Sequence, residues 1–355
     1  MIYIHYDFQG SLNLTSYNNI VQRIMGFDEY ENIGKDQSGQ YDMYVIHMGD
    51  RTKPTIFVDA SMHGTEWQGT FYTLDFFEQI KNDTFPDKIL RDRLLSDFHI
   101  VYLPVMNPWG FDRTTELEPR TRNRGRRNSN NIDLNGDFNN FTQRESLNVK
   151  SILDRELPFA YMNNHLMTPE TDRNQNNNLI IGNGQGATNY VKEDWIRSLS
   201  YYTDESVTNW AGFTKLSRGL SRRYVRDLNN PYTPHTLSYI TEINRPQQFE
   251  SGSISRPLTN NQIYKYGMAN VYLFFVTSLK YFDEQVNGIP YESVDNQIND
   301  EFVNEIKYPH KTYLINRESD GTINSIIEDF KDGNKFRYSF IRENNVIMGM
   351  NKEQI

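Results

Sequence analysis

Two hydrophobic periods alternate along the first 280 or so residues. "YDMYVIHMGD" (41–50) and "KPTIFVDAS" (53–61) predict strands, and the second is nearly continuous in apolar character, as a strand buried on both faces should be. Between 65 and 83, Trp67, Phe71, Leu74, Phe77 and Ile80 recur at helical spacing. "DFHIVYLPVMNP" (97–108) predicts another buried strand, stopped by Pro108. A helix over 144–157, a strand over 159–166, a strand over 236–243 and a long closing helix over 259–284 follow. Strands separated by helices predict an α/β sheet covered on both faces. Ligands of such sheets gather beyond the carboxyl ends of the strands. His63, Asn107, His165 and Glu242 all fall at or just past predicted strand ends.

The texture changes at about 285. Residues 285–306 are polar and punctuated, a predicted linker between a first domain over 1–284 and a small β-rich module over 307–355. In that module the pairs Asp320-Gly321 and Asp332-Gly333 separate β-prone runs, which predicts an antiparallel meander. It reads as an attachment or oligomerisation unit.

Composition narrows the chemistry. The chain has 355 residues and a formal net charge of -9, which argues against nucleic acid or an anionic membrane as a general partner. It has no cysteine, so a metal site must draw on His, Asp or Glu. The start, "MIYIHYDFQGSLNLTSY", has no basic region ahead of an apolar core, and the stretch over 266–282 is too short and too polar to span a bilayer. The expectation is a soluble protein, cytoplasmic or virion-associated, without a signal peptide.

"HGTE" places His63 and Glu66 on one face of a turn after a strand. A hydrolytic zinc site wants three protein ligands and an open position, so a third ligand is the test. There are seven histidines. His47 and His99 lie within strands as core-edge residues, His5 and His310 lie near the termini, and His235 sits in a loop. His165, after "AYMNN", is the best placed.

The order of motifs is informative. H-x-x-E after a strand is followed by "NPWGF", then "RRNSNNIDLNGDF", then His165 at a strand end and Glu242 in "YITEI". This series resembles the zinc carboxypeptidase family of metallopeptidases, over roughly residues 10–284. The resemblance implies an eight-stranded mixed, mostly parallel sheet flanked by helices, and one zinc ion per chain. It implies hydrolysis of a peptide or of a cell-wall stem peptide. By the same resemblance His63, Glu66 and His165 bind the metal, and Asp133 orients the ring of His63. Glu242 takes the proton of the attacking water, and Arg126, or Arg127 if the register slips by one, meets the developing negative charge. Asn135 binds substrate, and Tyr224, or Tyr232, covers it. Without the resemblance, Glu242 is equally a strand-end carboxylate paired with Arg245, Asp133 a turn residue, and Arg126 one of a solvated run with Arg113, Arg120, Arg122, Arg124 and Arg127.

One position departs from the family. Where its members usually read D-L-N-R-N-F, this chain reads "DLNGDF", and Gly136 supplies no guanidinium for a peptide's terminal carboxylate. Asp137 beside it would repel one. Arg113, Arg222, Arg223 and Arg245 are candidate substitutes. Strict exopeptidase specificity is therefore not expected. Two other readings stay open: a structural or attachment protein of a phage tail or surface assembly on a peptidase scaffold, and a deacylase of N-acyl amino acids.

Overall fold

The computed structural model describes residues 6–114, 125–167, 177–182, 188–204, 208–213, 220–244, 258–291, 305–307, 311–317, 323–330, 335–343 and 346–355. Two antiparallel strands open the main sheet, β1 (Tyr30–Lys35) and β2 (Asp42–Gly49), after a short helix α1 (Tyr17–Ile24). Then come β3 (Thr55–Ala60), α2 (Gln68–Lys81), α3 (Lys88–Asp97), β4 (His99–Leu103) and α4 (Pro108–Asp112). α5 (Arg144–Glu156), β5 (Ala160–Met167), β6 (Asn177–Gly182), α6 (Asn189–Ser200), β7 (Asn209–Phe213), α7 (Ser221–Arg226), β8 (Leu237–Asn244) and α8 (Asn260–Asn287) complete the body. The sheet has eight strands in the order β1-β2-β4-β3-β5-β8-β6-β7. Its centre, β4-β3-β5-β8, is parallel, and β6 runs against β8. The mixed sheet expected from the sequence is the one observed.

Both faces of the sheet are covered, and the strands show it residue by residue. On β3, Ile56, Val58 and Ala60 enter one apolar layer and Phe57 the other; on β4, Ile100 and Tyr102 oppose Val101 and Leu103. Period-two alternation with both sides dry is what makes these strands read as unbroken apolar runs. The larger layer is built from α2, α3, α6 and α8, the smaller from α5 with Leu134 and Phe138. α8 is apolar nearly all round because most of its length is buried, from Ile263 to Asp283. A reciprocal Thr259–Gln262 capping box starts it, and Gly288, left-handed at φ 66°, ends it. It thus runs through Asn287, three residues into the stretch expected to be linker.

A second sheet follows. β9 (Glu305–Lys307), β10 (Lys311–Arg317), β11 (Ile323–Phe330), β12 (Lys335–Glu343) and β13 (Val346–Gln354) pair antiparallel in sequence order, the expected meander. Lys352 Nζ reaches Asp92 Oδ2 on α3 at 3.0 Å. The two Asp-Gly pairs lie outside the described residues. No helix among the described residues is long and apolar enough to cross a membrane.

Candidate metal centre

The parallel strands β3, β5 and β8 end side by side, and the chain leaves β3 sharply. Ser61 adopts a left-handed conformation, φ 49°, and its hydroxyl bonds Thr70 Oγ1 at 2.7 Å. Gly64 makes room beside the His63 turn. A Cβ there would lie 2.2 Å from the backbone of Gly110, so its absence lets the His63 turn rest against α4. Asn107 caps α4 through Gly110 N at 2.9 Å and touches Arg126 O at 3.4 Å. "NPWGF" is therefore a helix start that braces both the His63 turn and the Arg126 backbone. The helix expected from 65 begins at Gln68, leaving Glu66 in the turn that precedes it.

Three side chains meet in this corner, each about 2 % exposed or less. His63 Nδ1 lies 2.9 Å from Glu66 Oε1, His165 Nδ1 lies 2.8 Å from Glu66 Oε2, and the two Nδ1 atoms are 3.2 Å apart. Protonation follows from the outer nitrogens. His63 Nε2 faces Asp133 Oδ1 at 2.9 Å, an atom that can only accept, so the proton of the neutral ring is on Nε2. His165 Nε2 faces Asn163 Oδ1. Both Nδ1 atoms face the one Glu66 carboxylate, where a ring proton can serve without a cation and the nitrogen lone pairs can serve with one. Arg126 borders the same corner, with Nη1 at 3.2 Å from both His63 Nδ1 and Glu66 Oε1 and Nη2 at 3.1 Å from Asp133 Oδ2. A triangle of two imidazole lone pairs and a carboxylate, with its polar rims already used, fits a divalent cation of zinc's ligand chemistry.

The electrostatics agree in sign. Burial pushes the Glu66 carboxyl up, but the neighbouring rings of His63 and His165 overcome it and hold it well below the ordinary range. Burial pushes the His165 ring down, and the charge of Glu66 with its hydrogen bond pulls it above its ordinary value. Asp133 is lowered despite its burial by His63 and Arg126. Glu242 is the strand neighbour of His165, register partner across β5 and β8, and the two share a face. Burial, with the charge of Glu66, raises its carboxyl above the usual range, against the pull of His165, His63 and Arg126.

The other expected residues divide. Arg126 faces the cluster, whereas Arg127 is exposed and donates to Asn131 O at 3.0 Å. Asn135 follows Asp133 in a short turn, and its buried Oδ1 has no hydrogen-bond partner among the described residues. Tyr224 is held elsewhere: its hydroxyl bonds Asp154 near the end of α5, and its ring packs on Phe141 at 5.1 Å. α5 leads into the opposite end of β5, so Tyr224 is not brought to the cluster. Tyr232 packs against the large apolar layer. Asp137 is committed within the protein: its oxygens accept from Thr142, Gln143 and Ser146 in a buried cap, and these bonds outweigh its burial to hold the carboxyl below the ordinary range. Arg113 lies on the Trp109 ring at 4.2 Å, Arg222 is buried, and Arg223 faces Asp227 at 3.8 Å. Arg120, Arg122, Arg124 and Arg245 lie outside the described residues.

Sequence reasoning missed Asp59, Tyr161 and Asn163, all fully buried on the face of the sheet that carries His165. The signal was there: a carboxylate and an asparagine, four and two residues before the two histidines, inside apolar strands. A second group, His47, His99 and Glu156, also brings metal-capable side chains together among the described residues. One ligand atom from each lies within 4.8 Å of the others, but the ring nitrogens are already taken up in a chain of neighbours. His47 Nδ1 meets His99 Nε2 at 3.0 Å, His47 Nε2 meets Glu31 at 3.2 Å, and His99 Nδ1 lies beside Thr55 Oγ1 and Glu156.

A family model described as zinc carboxypeptidase matches residues 13–182, which contain every residue of the triangle and end before Glu242. Carboxypeptidase E of Caenorhabditis elegans is 38% identical over 89 residues, 24% of this chain and 19% of that protein. The carboxypeptidase N catalytic chain of Rattus norvegicus is 29% identical over 182 residues, 48% of this chain and 35% of that protein. The matches thus span well under half the length of these relatives. Among solved structures, a metallo-carboxypeptidase from Burkholderia cenocepacia superposes with a TM-score of 0.56 at 13% identity, over 75% of this chain and 69% of its own. Carboxypeptidase A from Helicoverpa armigera gives 0.56 at 15% identity, over 76% and 73%. Over residues 13–182 the chain is similar to zinc carboxypeptidases, and its eight-stranded mixed sheet has the fold of the solved carboxypeptidases.

Proposed function

We propose that this protein is a zinc-dependent metallopeptidase that hydrolyses a peptide bond and does not require a free terminal carboxylate. The observation that carries the reading is the convergence of His63 Nδ1, His165 Nδ1 and Glu66 within 3.2 Å of one another, beside the strand-paired Glu242. His63, Glu66 and His165 would hold the ion. When bound, it supplies a Lewis-acid charge that acidifies water and polarises a carbonyl. Glu242, made more basic by burial, accepts a proton from the attacking water and returns it to the leaving nitrogen. The Arg126 guanidinium, already aimed into the corner, meets the negative charge that grows on the carbonyl oxygen. Asn135 Oδ1, without a partner among the described residues, accepts a substrate N–H. Asp133 holds the His63 ring by Nε2.

The absence of a terminal-carboxylate requirement rests on position 136. Gly136 is exposed, and a Cβ there would meet nothing within 4 Å, so an arginine fits where none is present. Hydrolysis assays on peptides with free and amidated C-termini, and on cell-wall peptides, test both parts. The wild type is expected to cleave amidated peptides, and Gly136→Arg to shift preference toward free C-termini by roughly 10- to 100-fold, the worth of one charge-assisted clamp. Cleavage restricted to free C-termini in the wild type would contradict the specificity. No hydrolysis of any peptide by the zinc-loaded protein would contradict the function.

A further inference from the structure

His63 and His165 use their outer nitrogens in different ways, and the difference points inward. His63 Nε2 bonds Asp133, a partly exposed carboxylate on a loop. His165 Nε2 bonds Asn163 Oδ1, two residues back on the same strand, where both side chains share a face. An amide can serve this purpose only in one orientation, because turned round it would set its own donors against the ring N–H. Asp59 settles the orientation. It sits across the register from Asn163 on β3, fully buried, and its Oδ1 accepts from Asn163 Nδ2. Its Oδ2 accepts from the Tyr161 hydroxyl at 2.6 Å. With Oδ1 accepting from Asn163, and any proton on Asp59 held at Oδ2 against Tyr161, Asn163 turns its nitrogen to Asp59 and its oxygen to His165.

We propose that Asp59 and Asn163 are positioning residues, a buried relay that locks His165 as the Nε2–H tautomer with its Nδ1 lone pair aimed at the metal. Asp133 does directly for one ligand what Asp59 does through an amide for the other. Tyr161 completes the relay by occupying the second oxygen of Asp59. Apolar strands gain nothing from a buried carboxylate and amide unless those groups are bonded to something that needs them. Here the chain of donors and acceptors runs in one direction and ends on a ligand. The inference rests on the metal-binding reading above, and its test compares zinc-bound wild type with variants outside the ligand set, so the two fail separately.

The test starts with imidazole ¹⁵N chemical shifts of the zinc-bound wild type, with His165 assigned by its own substitution. The expected signature is a protonated Nε2 with Nδ1 bound to zinc; ligation through Nε2 overturns the relay. Asn163→Ala should broaden or shift that signature toward a mixture of the two and weaken zinc affinity, read by chelator competition, by roughly 10- to 100-fold. The exchange Asp59→Asn with Asn163→Asp keeps one carboxylate and one amide and reverses their order, so every hydrogen bond can re-form. It should return zinc affinity to within a few-fold of wild type, whereas a merely structural role gives no reason for the exchange to restore the tautomer. Asn163→Ala binding zinc as tightly as wild type, or the exchange binding no better than Asn163→Ala, refutes the relay while leaving the proposed function intact. Should Asn163→Ala not fold, the wild-type tautomer and the exchange variant decide. A wild type that binds no zinc would instead remove the proposed function itself.

Discussion

Two groups of two histidines and a glutamate sit at opposite ends of one sheet. His63, Glu66 and His165 lie where β3 and β5 end, while His99 opens β4 and meets His47 of β2 and Glu156 at the end of α5. Composition and burial hardly separate them: all four rings are at most 3 % exposed. Hydrogen-bond order does. In the far group each imidazole nitrogen has its own neighbour along a line from Glu31 through His47 and His99 to Glu156 and Thr55. Burial, Arg51 and His99 push His47 down to about 4, so it stays neutral and simply passes hydrogen bonds along. In the near group the outer nitrogens are taken by Asp133 and Asn163, and what remains converges. The far chain ends on partners of its own, whereas the near group turns two imidazoles and a carboxylate toward one point.

The comparison can be broken most forcefully at Glu242. Glu242→Gln should lower turnover by roughly 100- to 10,000-fold, the usual worth of a positioned general base, with zinc content unchanged. Activity that survives at full zinc occupancy would remove Glu242 from the chemistry. In the far group, His99→Ala should leave turnover per folded molecule unchanged and cost about 1–3 kcal/mol in urea unfolding, because it strands buried partners. Lost turnover in a fully folded His99→Ala protein would mean that the line is not merely structural.

A smaller effect sharpens the role of the buried relay. Burial raises Asp59 from its ordinary 3.8 to about 7, against the hydrogen bonds of Tyr161 and Asn163 and the charge of His165. Between those pH values the folded chain keeps a proton that the unfolded chain has released. Stability of the metal-free protein therefore falls as pH rises through that window. Relative to Asp59→Asn, the wild type should lose up to about 1.4 kcal/mol per pH unit between roughly pH 4 and 7. Parallel pH profiles for the two proteins would show that Asp59 bears no such cost.

Much of this was legible along the chain, for reasons that also explain the gaps. Buried parallel strands announce themselves as apolar runs, and "TIFVDA" does so because both its faces are dry. The triangle was readable because its members stand at strand ends in a recognisable order. The placement of Tyr224 was not, since a tyrosine in a loop-rich stretch carries no periodicity to say which side of the sheet it joins. The purpose of Gly64 was hidden because its partner, Gly110, is distant in sequence. Asn163 and Asp59 passed unnoticed because strand alternation predicts which face a polar residue takes, not whom it meets across the register.

The most direct measurement is anomalous diffraction at the zinc absorption edge from crystals grown with about one equivalent of zinc. A single strong peak between Nδ1 of His63, Nδ1 of His165 and the Glu66 carboxylate is the predicted result, with nothing at His47 and His99. A peak at the far pair instead, or none in the triangle when the protein is zinc-saturated, would contradict the assignment of the metal and with it the hydrolytic role.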